Sequence, residues 1–73
     1  MKNVDLISLG NNLRAERTRQ RYTQEQLEEK TGILAQHIGR IENGEVDIRF
    51  STLVSLLTAL NIPFEKVYDL KLK

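Results

Sequence analysis

Residues 23–43 read TQEQLEEKTGILAQHIGRIEN, and this stretch decides the fold. Its apolar residues fall at Leu27, Ile33, Leu34, Ile38 and Ile41, and the helical spacing breaks and restarts at Gly32. Thr23 followed three residues later by Gln26 forms a capping box, in which each side chain satisfies the other residue's free amide at a helix start. A helix is therefore predicted from about Gln24 to Thr31. Gly32 sits just past its last turn, where a left-handed backbone is needed and glycine adopts it without a steric penalty. A second helix runs from Leu34 or Ala35 to Asn43, turning Ile38 and Ile41 inward and Gln36, His37, Gly39 and Arg40 outward. Asn43-Gly44 is its stop signal. Two short helices that meet at a glycine and share one apolar corner form a helix-turn-helix.

Upstream, Leu6, Leu9, Gly10, Leu13 and Arg17 lie on one stripe, which predicts a helix beginning near Leu6 with Asp5 as its cap. An arginine on an apolar stripe is costly unless a carboxylate meets it. Gln20-Arg21-Tyr22 ends the pattern. Downstream, residues 45–49 read as a loop, and Ser51 is the expected cap of a fourth helix over residues 52–60, with Leu53, Leu56, Leu57 and Leu60 on its apolar face. Pro63 is placed to open a fifth helix, where its missing amide does no harm, with Phe64, Val67, Tyr68 and Leu70 on the buried side. The alternation in residues 69–73 fits either a short edge strand or a frayed terminus. The expectation is an all-α, five-helix single domain over residues 6–70, with residues 1–5 and 71–73 as loosely packed termini.

Composition narrows the function. A chain of 73 residues, 40% hydrophobic and 29% charged, has room for one core and no sign of disorder. With no cysteine and one histidine, His37, neither a thiolate nor a usual zinc set is available, so no metal and no cofactor is expected. No nucleophile, base and orienting group converge, so the chain does not read as an enzyme. No apolar run is long enough to span a bilayer and the first residues lack the apolar stretch of a secretion signal, which makes the cytoplasm the default location. The net charge is only +1, yet Arg14, Arg17, Arg19 and Arg21 crowd one segment while Glu25, Glu28 and Glu29 crowd the next. Any contact with nucleic acid must then be local. By default Arg14, Arg19 and Arg21 are a solvated helix face; Arg21, close to Gln24, is the one to take as a phosphate ligand. His37 fits a phosphate contact or plain solvent equally well.

Taken together, Arg17, the Thr23-Gln24-x-x-Leu27 start, Gly32, Ile38, Ile41-Glu42-Asn43-Gly44 and the helix from Thr52-Leu53 to Leu60 resemble the DNA-binding domains of phage Cro and CI repressors and of XRE-type bacterial regulators. The likeness covers residues 9–70 and implies a lambda-repressor-like fold that binds double-stranded DNA. It further implies that Arg17 pairs with Glu42, a pairing the sequence spacing permits. Gln24 and Asn43 are implied as phosphate contacts, with Thr23, Arg21, His37 and Gly39 beside them on the DNA backbone. Ala35, Gln36 and Arg40 occupy the base-facing positions: Gln36 suits adenine, Arg40 suits guanine, and Ala35 offers a methyl contact to thymine. Apolar surplus at Phe64, Tyr68, Leu70 and Leu72 points to a homodimer, which would set two recognition helices about 34 Å apart on a pseudo-palindromic operator.

Two positions depart from the family pattern. Glu28 stands where the first helix of the motif usually carries alanine against the second, so it is expected to snorkel outward or to push the two apart. Leu34 stands where serine or threonine usually caps the recognition helix, which weakens that cap by about 1 kcal/mol.

The reading is a dimeric transcriptional regulator, a repressor by preference. Two alternatives stay open: an antitoxin that also neutralises a toxin partner, and a module that uses the same fold to bind a protein instead of DNA.

Overall fold

Among residues 6–63, which the computed structural model describes, the chain forms α1 (Leu6–Arg19), α2 (Gln24–Thr31), α3 (Ala35–Glu42) and α4 (Phe50–Ala59), with no strand. The fifth helix, the Asp5 cap, the terminal strand and the dimer residues Phe64, Tyr68, Leu70 and Leu72 lie outside the described residues.

The helix ends follow from where orphaned backbone groups find partners. At the start of α2, Thr23 accepts from Gln26 N at 3.0 Å while Gln26 Oε1 accepts from Thr23 N at 2.8 Å, completing the capping box. Three helices end in the same six-residue bonding pattern, in which the amide two residues past the cap reaches back five carbonyls. Tyr22 N bonds Arg17 O, Glu45 N bonds Arg40 O and Ile62 N bonds Leu57 O, closing α1, α3 and α4. Each closure needs one left-handed residue, and these are Arg21, Gly44 and Asn61, with φ of 66°, 73° and 60°. Nothing in the chemistry of arginine favours that conformation, so the sequence carries no signal for it.

α4 also differs from expectation at its start. It begins at Phe50 with Arg49 as cap, and Arg49 makes no side-chain capping bond. Ser51 therefore lies inside the first turn. The ladder already starts with Leu53 N on Arg49 O at 2.9 Å, so the hydroxyl at Ser51 comes two residues too late to set the boundary.

One core joins the helices: Leu9 and Leu13 from α1, Leu27 from α2, Ile38 and Ile41 from α3, Leu56 and Leu57 from α4, and the cap residue Leu60. Burial of each contributes about 1.5–3 kcal/mol. α3 packs against both α1 and α2, and α4 packs against α2. α3 is thereby held from two sides with its remaining face open. Its approach to α1 is unusually close at Gly10, where an added Cβ would sit 2.4 Å from Ile41 O and 2.5 Å from Glu42 O. Only a residue without a side chain permits that approach.

Candidate nucleic-acid interface

α3 is amphipathic within eight residues, and its two faces have separate partners. The inner face carries Ile38 and Ile41 into the core and, with them, Glu42, whose side chain is only 1% exposed. A buried carboxylate must be paired and hydrogen-bonded to persist. Arg17 meets it at two points, Nε to Oε2 at 2.6 Å and Nη2 to Oε1 at 3.1 Å, and its third nitrogen, Nη1, donates to Tyr22 O at 2.7 Å. Gln24 Nε2 donates to Glu42 Oε1 at 3.1 Å, and Arg14 Nε stands 3.5 Å from the same oxygen. Groups from α1 and α2 thus converge on one carboxylate of α3. The arginine stripe of α1 is explained by this convergence.

Arg14 borders the assembly while remaining substantially exposed, and its Nη2 also donates to Asn43 Oδ1. Its spacing of three residues from Arg17 places both on one side of α1, which was the available signal. Arg19 instead bonds Glu16 on its own helix. That hydrogen bond, then the charge of Glu16, raise the Arg19 pKa above its ordinary value.

The outer face of α3 presents Gln36 and Arg40, both exposed and four residues apart, with His37 half-buried between them. Together with Leu34 they line one shallow depression. Arg40 Nε lies 3.7 Å from Glu45 Oε1 in a pair more than half exposed on both sides, which holds the arginine by well under about 1 kcal/mol and leaves it available to another acceptor. Ala35 is half-buried at the start of the helix, beside Gln36. Gln24 lies against Gly39, where an added Cβ would come within 3.3 Å of Gln24 Nε2. The space left by Gly39 is therefore taken up by this amide. One Gln24 amide hydrogen is on Glu42, and a primary amide has a second to offer. Thr23, Arg21 and Asn43 are all exposed.

The two departures at residues 28 and 34 meet in the structure. Leu34 is the cap residue of α3 and makes no capping bond. Glu28 supplies the bond instead, its Oε1 accepting from Ala35 N at 2.9 Å. The carboxylate does not snorkel into solvent; it is half-buried and hydrogen-bonded to the start of α3. No helix among the described residues is long and apolar enough to cross a membrane.

Comparison with known proteins gives two findings. A sequence model described as Helix-turn-helix matches residues 13–67. The fold is similar to the crystal structure of the restriction-modification controller protein C.AhdI from Aeromonas hydrophila, with a TM-score of 0.82 and 30% identity over 86% of this chain and 96% of that one. Among curated proteins, none matches the sequence.

Proposed function

The chain belongs to the XRE-type helix-turn-helix family of DNA-binding transcription regulators, and we propose that it acts in the cytoplasm as a homodimeric repressor that reads an operator with α3. The observation that carries this reading is the division of α3 into a face clamped through Glu42 and a face that leaves Gln36 and Arg40 exposed one turn apart. A helix presented to the major groove needs both properties, because base readout demands fixed geometry and free hydrogen-bonding edges.

In this reading Gln36 pairs with adenine and Arg40 with guanine, while Ala35 lies close enough for a thymine methyl. Gln24, aimed by its bond to Glu42, gives its second amide hydrogen to a phosphate. Thr23, Arg21, His37 and Asn43 complete the backbone contacts, and Gly39 contributes by leaving room for the Gln24 amide. Arg21 supports its place among them by being exposed three residues before Gln24. The dimer is built through Phe64, Tyr68, Leu70 and Leu72. Likeness to a controller protein favours a regulator over an antitoxin.

Selection of bound sites from random duplex DNA tests the proposal, repeated with Gln36→Ala and Arg40→Ala. The wild-type chain should enrich a two-fold symmetric motif, and each variant should lose preference at one base position per half-site, by about 1–3 kcal/mol. Enrichment of no motif, or binding insensitive to salt, would turn the assignment toward a protein-binding module.

A further inference from the structure

Glu28 ties both ends of the turn between α2 and α3. Its backbone carbonyl accepts from Gly32 N at 2.7 Å, which closes α2, and its carboxylate accepts from Ala35 N at 2.9 Å, which opens α3. Between these, Thr31 Oγ1 accepts from Ile33 N at 3.0 Å and itself donates to Leu27 O at 2.7 Å. The turn is thus fixed from the α2 side. Leu34, where a local capping side chain would stand, contributes no such bond and leaves its apolar side chain 64% exposed.

From this geometry we infer that Glu28 is a positioning residue for DNA reading: its carboxylate replaces the missing local cap and sets the angle at which the first turn of α3 enters the groove. The inference rests on the operator-binding reading above. Helix ends fray when their first amides lack acceptors, and the fraying is confined to the first turn. In this chain that turn holds Ala35 and Gln36, whereas Arg40 sits a turn further on, next to the anchored Ile41 and Glu42. Loss of the Glu28 bond must therefore blur the base read by Gln36 more than the base read by Arg40. A contribution to general stability alone would weaken both alike.

Charge enters separately. Glu28 brings a carboxylate to the positive end of the α3 dipole, where a DNA phosphate would otherwise be attracted, so it directs that end toward base edges and away from the backbone. Glutamine keeps an acceptor oxygen while removing the charge, which lets capping and charge be separated.

The test uses the whole chain with four variants: Glu28→Ala, Glu28→Gln, Leu34→Thr and Glu28→Ala combined with Leu34→Thr. Amide hydrogen exchange of the free protein reads the cap, and site selection from random duplex DNA reads the aim. Glu28→Ala should speed exchange at Ala35 about five- to tenfold and flatten the preference at the Gln36 position while sparing the Arg40 position. Glu28→Gln should retain both, with a small gain in affinity for any duplex. The double variant should recover the preference at the Gln36 position and slow exchange at His37, while Ala35 itself stays fast. A threonine at residue 34 accepts from an amide two or three residues on, as Thr23 does at the start of α2. Unchanged exchange at Ala35 in Glu28→Ala overturns the cap. Equal loss at both base positions, or no recovery in the double variant, overturns the positioning role. If the unaltered chain enriches no motif, the operator-binding reading itself fails, and exchange at Ala35 still decides the cap.

Discussion

Arg17 on α1 and Glu42 on α3 face each other through two parallel hydrogen bonds of 2.6 and 3.1 Å, and the glutamate side chain is 1% exposed. A planar guanidinium matched to a carboxylate fixes orientation as well as distance. Because Glu42 sits at the last position of α3, this contact anchors the far end of the recognition helix. Arg17→Ala should destabilise the fold by about 3 kcal/mol, since Arg14 and Gln24 do not fully replace the lost partner of a buried charge. Thermal unfolding reads this as a fall in Tm of more than about 10 °C. An unchanged Tm would remove the pair from the account of stability.

Gly10, two turns earlier on the same stripe of α1, packs against the same end of α3. Replacing it with alanine introduces two effects of opposite sign. Helix propensity improves by about 1 kcal/mol, because glycine inside a helix is costly. Against this, the new Cβ would stand 2.4 Å from one carbonyl oxygen and 2.5 Å from the next, and both belong to backbone that cannot rotate away. Separation of α1 from α3 would also stretch the Arg17–Glu42 bonds. Overpacking of this kind costs about 1–3 kcal/mol before those bonds are counted, so the net effect of Gly10→Ala should be a lower Tm. A rise in Tm would mean that the two helices slide apart freely.

The capping box at Thr23, the stop at Gly32 and the inward set Leu27, Ile38 and Ile41 were legible in the sequence because each rests on contacts within a few residues or on helical period. The α4 start was misread because a serine was available to suggest a cap, while the real boundary at Arg49 uses no side chain at all. The role of Glu28 was hidden for a different reason. Its partner, Ala35 N, is a backbone group seven residues away, and no side-chain pattern announces a backbone amide in need of an acceptor. The part Arg14 plays was hidden because an exposed arginine that reaches a buried carboxylate and one that meets only water look identical until Glu42 is placed.

Arg21 holds a left-handed backbone at φ 66° that closes α1, a conformation costing a residue with a side chain roughly 1 kcal/mol relative to glycine. Arg21→Gly should recover most of that amount, visible as a Tm higher by about 4–8 °C. If Arg21 also neutralises a phosphate, the same variant should bind operator less tightly and show a salt slope smaller by about one unit. Gain of stability with no change in the slope would leave the strain without a DNA role.

Gly39 allows a sharper separation of stability from binding. It lies in the interior of α3, where alanine is favoured by about 1 kcal/mol, and no backbone atom of another element is among its nearest neighbours. The contact that tightens is with the Gln24 amide, at 3.3 and 3.4 Å from the added Cβ, and this side chain can move. Gly39→Ala should therefore change Tm little or lower it slightly, the helix gain being offset by the loss of the Gln24 bond to the buried Glu42. The displaced Gln24 would lose its 3.1 Å bond to Glu42 and with it the direction of the hydrogen offered to a phosphate. Affinity for duplex DNA should fall about fivefold or more, as expected for about 1 kcal/mol at a single hydrogen bond, with the loss alike for all sequences. A variant whose Gln24–Glu42 bond is lost, seen as a lower Tm, and which still binds operator undiminished would show that Gln24 serves the interior alone.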